Sequence, residues 1–340
     1  ISTQNRLINW NSKNMFVPLM SWCSYMDGTP DAIIKACMAH LAHGTTSICP
    51  TTLTCTDEEL LTFFDCYREA RKQMENGPEL LGIHMEGPYF SLEQRGAQDP
   101  QYIKVPARDD YKKLLDASDD IIRMPAAPEL EGAMELADEL KARGILASIG
   151  HSDATYDHVI EAWERGYTHV THLYSGMSTI RRINAYRHLG VIESAYLIDG
   201  MTVEIIADGK HLPPELLRFI VKMKPIEDIC LVTDSMRGAG MDDGEHVLLG
   251  SLAHGQECII DDGVAVLPDR SAFAGSVCTA DRCVRTMYHQ AEVRQRILVS
   301  RKGREAFLRG WMRMWSYSMM ISGFRVYWLR ERRLLDKAQG

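Results

Sequence analysis

Apolar, β-branched runs alternate with amphipathic stretches through the middle of the chain. Strands are predicted at Thr45–Leu53, Leu81–Pro88, Ile121–Glu129, Gly144–Ser152, His169–Met177, Thr202–His211 and Asp228–Ser235. Helical stretches fall between them. Thr29–Gly44 opens on Thr-Pro and closes on Gly, Asp153–Gly166 starts from an Asp153 cap, and Pro213–Lys224 carries proline in its first turn. Strand runs that are apolar throughout imply burial on both faces, as in a parallel sheet. Repeated strand–helix units of this length imply a parallel α/β architecture.

The polar residues decide between an open sheet and a closed one. Predicted strands end, on their C-terminal side, in Glu86, His151, His172, His211 and Asp234, groups that bind metals or move protons. In a (β/α)8 TIM-type barrel such ends converge on one mouth. In an open sheet they lie along a line and only those at a switch point meet. Convergence favours the barrel, with seven strands legible and the eighth expected before Asp27. From Asp242 to Ser276 the pattern changes to short β runs and turns, including Asp-Gly in CIIDDGVAVL, which reads as a β-hairpin excursion.

Composition narrows the partners. The 340 residues carry a net charge of −8 with no basic cluster through the middle, which turns the expectation from nucleic acid to a small molecule. Nine scattered cysteines without a CxxC pair fit neither a disulfide framework nor a thiolate zinc site, and suit a reducing cytosol. No signal-peptide pattern opens the sequence and no apolar run is long enough to span a bilayer. The expectation is a cytoplasmic protein that binds neither nucleic acid nor membrane.

Each chemical group has a bland reading beside the functional one. Glu86 lies two residues after His84, on the same side of a strand, so the two could form a buried ion pair. His151 and His172 could each be a satisfied core histidine, and Asp234 a capping residue. His169, three before His172, faces the other side and reads as structural. Taken together, Glu86, His151 and His172 form a set suited to zinc, iron or manganese, with a coordination position left for water. Asp234 supplies the proton acceptor that hydrolysis still needs.

The segments GIHMEGPYFSLEQRGAQDPQYI, APE, SIGHSDATYDHVIEAWERGYTHVTHLYSGMS, IADGKHL, LVTD and FAGS, spread over about Met26 to Val293, occur in one order. This series resembles the N-acetylglucosamine-6-phosphate deacetylases of the amidohydrolase superfamily. The resemblance implies one divalent metal, zinc or else iron, held by Glu86, His151 and His172. It implies that Asp234 is the general base and then the general acid, and that His211 holds the sugar phosphate or hydroxyls. Arg187 in NAYRHLG, or less closely Arg182, matches an arginine that meets phosphate across a homodimer. The implied reaction frees acetate from an amino-sugar phosphate.

The chain departs from the family pattern in places. Gln98 stands where many members have histidine, and it can donate a hydrogen bond to the acetyl carbonyl but cannot become cationic. Ser175-Gly176 replaces Asn-Ala near the phosphate, so a related N-acetylated amino-sugar phosphate stays open. NMFVPLMSWCSYMDG lacks the His-x-His of a second metal site. Another amidohydrolase activity, on a different amide or a cyclic imide, and an impaired fragment that only binds sugar phosphate are the competing readings.

The ends are unusual. Gly310–Phe324 mixes Trp, Met, Phe and Arg as an interfacial helix does. It can also be encoded so that a two-letter shift reads MDADVVVLDDDFRV, close to the family's closing strand, which implies a frameshift upstream of Gly310. Trp10, Trp22, Trp311, Trp315 and Trp328 lie in the two ends, and Trp163 alone in the body. The expected organisation is a hydrolase barrel over residues 14–300. Residues 1–13 and 301–340 are then disrupted remnants of the family's small β-sandwich, with disorder after about Arg301.

Overall fold

The structure is a computed structural model and describes residues 23–291. The expected eighth strand, the sandwich remnants and the Gly310–Phe324 segment lie outside the described residues.

Helix α1 (Pro30–Ala42) begins as its Thr-Pro start predicts: Thr29 Oγ1 accepts from Ala32 N at 3.2 Å. It faces the core with Ile33, Ala36 and Cys37, then leads to β1 (Ser47–Ile48). In α2 (Asp57–Gln73), Thr56 and Glu59 cap each other reciprocally, a capping box. The next stave comes in two pieces, β2 (Glu79–Leu80) and β3 (Ile83–His84). Gly82 separates them at φ +153°, where a Cβ would stand 2.4 Å from Ile122 Cγ2 and 2.9 Å from the Asp120 carbonyl oxygen.

Strand and helix then alternate through α3 (Arg108–Asp116), β4 (Ile121–Ala126), α4 (Ala133–Arg143), β5 (Leu146–Ile149), α5 (Tyr156–Arg165) and β6 (Tyr167–Val170). The α5 cap is Thr155 rather than the expected Asp153. Asp153 is engaged elsewhere: it accepts from Gln94 Nε2 at 2.9 Å and pairs with Arg181. A hairpin absent from the sequence reading follows, β7 (Arg181–Ile183) and β8 (Tyr186–His188). After α6 (Val191–Leu197), β9 (Thr202–Ile206), α7 (Pro214–Met223) and β10 (Ile229–Val232) resume the alternation.

Six strands form one parallel sheet in the order β10-β9-β6-β5-β4-β3. The stave containing β1 adjoins β3 through a parallel bridge from Thr51 to His84. Neighbours in the sheet therefore follow chain order with no reversal, as in a barrel, whereas a doubly wound sheet changes direction at a switch point. The fold is an α/β barrel of which seven successive staves are described. Strand residues Ile83, Met124, Ile149, Val203 and Ile205 pack outward against Phe63, Tyr67, Leu114, Leu140 and Leu217 of the helices.

The interior face corrects the expectation of strands apolar on both sides. Arg123, Glu204, His84 and His169 line the lumen, and His169 shares it with His172 instead of facing away. Arg123 pairs with Glu204 and donates to His84 Nδ1 at 2.7 Å. His169 Nδ1 lies 2.7 Å from Thr202 Oγ1. Burial, reinforced by the Arg123 charge, pushes the His84 imidazole down to about 3, so it is neutral and can accept from arginine. His84 and Glu86 are consequently 3.9 Å apart without forming an ion pair. Glu204 is held well below the usual carboxylate range: burial would raise it, and Arg123 outweighs burial.

Breaking a buried pair strands a charge, whereas removing both partners does not. Arg123→Met or Glu204→Leu alone is expected to cost about 3–5 kcal/mol. The double variant should cost clearly less than the sum, as read from urea unfolding midpoints.

The Asp242–Ser276 excursion is a three-stranded antiparallel meander, β11 (His246–Leu249), β12 (Gln256–Asp261) and β13 (Val264–Val266). Asp262 at φ +50° and Gly263 at φ +71° make its second turn, as the Asp-Gly pair predicts. A small core of Val247, Cys258, Ile260, Ala265 and Val277 supports it. Arg237, 2.6 Å from Asp27, joins it to the barrel. The described chain closes with α8 (Ala280–His289).

Candidate active site

Five acidic or imidazole groups occupy the same place on five staves, the second residue past the strand end. They are Glu86 after β3, His151 after β5, His172 after β6, Asp208 after β9 and Asp234 after β10. At that position the chain turns off the sheet. His151, His172 and Asp234 do so in the left-handed region, at φ +47°, +34° and +47°. Such angles cost a non-glycine residue about 1–3 kcal/mol each and persist where surrounding structure enforces them.

Glu86 Oε1 lies 3.3 Å from His151 Nε2 and 3.4 Å from His172 Nε2. One donor atom from each of the three residues falls within 4.8 Å of the others, and all three residues are buried. His151 Nδ1 donates to the Gln94 carbonyl at 2.9 Å, which fixes the tautomer and leaves the Nε2 lone pair facing Glu86. Phe90 packs against the His151 ring at a tilt of 40°, with centroids 4.6 Å apart. His172 Nδ1 is buried without a hydrogen-bond partner.

The electrostatics fit a cation. Burial would raise Glu86, but the two imidazoles hold it well below the usual carboxylate range. Burial would lower His172, but the Glu86 carboxylate outweighs burial and pushes it up to about 9. The buried Glu86 carboxylate thus favours a positive charge beside it, and the one oxygen and two nitrogens of the triangle are a donor set that zinc or iron accepts.

Asp234 lines the same cavity, of about 1330 Å³. Burial and the Glu86 charge raise its carboxyl above the ordinary value, with His172 and His211 opposing. Gln98, Ser175, Gly176 and His211 also line this cavity. Arg187 and Arg182 are not among its lining residues: both lie on the exposed β7–β8 hairpin.

Asp208 and Glu129 escaped the sequence reading as parts of the site. Asp208 Oδ2 lies 2.8 Å from His211 Nδ1, which turns His211 Nε2 away from Asp208. Glu129, of the APE segment, accepts from Ser152 Oγ at 2.7 Å and from Asp153 N at 2.5 Å, and so holds the loop that carries His151. Gly176, at φ +57°, has no room for a side chain: a Cβ would stand 2.6 Å from the Gln94 oxygen and 2.7 Å from His151 Nδ1. Gly176→Ala is thus expected to disturb the Gln94–His151 bond and weaken metal binding about 10–100-fold, measurable by zinc titration.

Residues 8–265 match the sequence profile of the Amidohydrolase family. An N-acetylglucosamine-6-phosphate deacetylase of Lysinibacillus sphaericus is 33% identical over 255 residues, covering 73% of this chain and 62% of that protein. An N-acetylgalactosamine-6-phosphate deacetylase of Escherichia coli O157:H7 is 31% identical over 266 residues, 77% of this chain and 67% of that one. A solved structure of a mutant Mycobacterium smegmatis N-acetyl-D-glucosamine-6-phosphate deacetylase in complex with N-acetyl-D-glucosamine-6-phosphate superposes with a TM-score of 0.74 at 29% identity. That likeness covers 82% of this chain and 70% of the other. The chain therefore spans about three fifths of the length of the Lysinibacillus relative.

Proposed function

The chain belongs to the amidohydrolase family, and on that premise we propose that it hydrolyses the acetamide of N-acetylglucosamine 6-phosphate, giving acetate and glucosamine 6-phosphate. The observation that carries this reading is the buried Glu86, His151 and His172 triangle with Asp234 in the same cavity. A single divalent metal held by those three residues, zinc or else iron, supplies Lewis acidity that makes a water acidic near neutral pH and polarises an acyl oxygen.

The chain's own groups do the rest. Asp234 accepts a proton as the water oxygen bonds to the acyl carbon, and returns it to nitrogen as the C–N bond breaks. Gln98, with its amide nitrogen 3.3 Å from Glu86 Oε1, donates to the acyl oxygen. His211, oriented by Asp208, meets a hydroxyl or phosphate of the sugar, and Ser175 and Gly176 border that end. Arg187 lies on an exposed hairpin, and its proposed role is to meet the phosphate held by a second copy in a homodimer. All nine cysteines carry free thiols, and no helix among the described residues is long and apolar enough to cross a membrane. The free thiols support a reducing, cytoplasmic setting.

A second reading, N-acetylgalactosamine 6-phosphate, is favoured by one observation. Ser175-Gly176 stands near the proposed phosphate end in place of the family's Asn-Ala, and a relative of that specificity is 31% identical. Acetate release measured side by side on the two sugar phosphates and an N-acyl amino acid tests the proposal. Preference for N-acetylglucosamine 6-phosphate is the expected outcome. Preference for the amino acid would point to another amidohydrolase reaction, and zinc binding without turnover to a site that only binds.

A further inference from the structure

Three threonines beyond β1 are drawn up against the Glu86 segment. Thr51 Oγ1 lies 3.2 Å from His84 Nδ1, and Thr52 Oγ1 accepts from Glu86 N at 3.0 Å. Thr54 gives both its donors to one atom, N–H at 3.0 Å and Oγ1–H at 2.8 Å from Gln98 Oε1. A backbone N–H can only donate, so the Gln98 atom facing Thr54 must be the oxygen. The amide nitrogen is thereby turned toward Glu86 Oε1, at 3.3 Å. This is the same carboxylate oxygen that faces His151 and His172. Thr54 and Gln98 are both buried, 8% and 6% exposed, so water does not compete for these bonds.

We propose that Gln98, with its amide turned by Thr54, is a positioning residue for Glu86 and sets the carboxylate oxygen offered to the metal. The inference rests on the metal-centre reading above, and it gives Gln98 a task besides any contact with the acyl group. Groups that hydrogen-bond a metal-ligating carboxylate fix its orientation, and their loss weakens metal binding.

The test is the zinc dissociation constant of the full chain, by competition with a chromophoric chelator. It is measured for the wild type, Gln98→Leu, Thr54→Val, Thr54→Ser and the double variant Thr54→Val/Gln98→Leu. Thermal unfolding identifies any variant that fails to fold. Gln98→Leu is expected to weaken zinc binding about 10-fold. Thr54→Val, which keeps its N–H, should lose about 3-fold. Thr54→Ser, which restores the hydroxyl, should bind like the wild type. The double variant should bind no more weakly than Gln98→Leu, because Thr54 acts through the amide. Wild-type affinity in Gln98→Leu would overturn the proposal, as would a Thr54→Val loss that adds fully to that of Gln98→Leu. A wild type that takes up no zinc would instead sink the metal centre itself.

Discussion

Asp234→Asn is expected to slow acetate release from N-acetylglucosamine 6-phosphate by about 10²–10⁴-fold, the usual contribution of a positioned acid–base group. The substitution keeps the size of the side chain and should keep its place. The backbone at Asp234 is fixed by the loop beside it: Ser276 N donates to the Asp234 carbonyl at 2.8 Å, and Met236 N donates to the Ser276 carbonyl at 2.9 Å. What the amide lacks is the ability to take a proton from water and return it to nitrogen. The carboxyl is suited to both steps, because burial and the Glu86 charge raise it above an ordinary aspartate. Zinc content should be unchanged, since Asp234 is outside the three-residue cluster. Retained turnover in Asp234→Asn would assign the proton transfers to another group.

Glu86→Gln is expected to lower zinc affinity by more than about 100-fold, beyond the loss typical of a residue that only supports a ligand. Glu86 supplies the charge of the triangle. Its carboxylate faces two imidazoles and outweighs the burial that would otherwise lower His172. Glutamine keeps the shape and removes the charge, so the cation would have to enter a buried site with two neutral imidazoles. Activity should fall with metal content. Inductively coupled plasma analysis of dialysed protein reads the first effect and an acetate assay the second. Full zinc occupancy in Glu86→Gln would contradict the assigned ligand set.

What was legible in the sequence is what local patterning encodes. Glu86, His151, His172 and Asp234 each follow an apolar run, and Asp262-Gly263 meets the backbone angles of its turn without strain on a β-branched residue. The interior charges were hidden because Arg123 and Glu204 are 81 residues apart and each sits inside a run that otherwise reads as buried strand. The β7–β8 hairpin was hidden by its turn, Asn184 at φ +49° and Ala185 at φ +70°, where alanine gives no glycine signal. His172 joined the lumen by the same kind of departure: at φ +34° it leaves the strand alternation that would set it opposite His169. The supports of the site escaped for a different reason. The Gln94 carbonyl that orients His151 is a backbone atom, and no residue type announces it.

One metal, held by Glu86, His151 and His172, is proposed to make this chain a deacetylase. The most direct measurement strips the full chain with chelator and follows acetate release from N-acetylglucosamine 6-phosphate as zinc is returned. The predicted result is no release without metal, then activity rising to a plateau at about one zinc per chain. Undiminished release by the stripped chain, or a plateau only at a second equivalent, would contradict it.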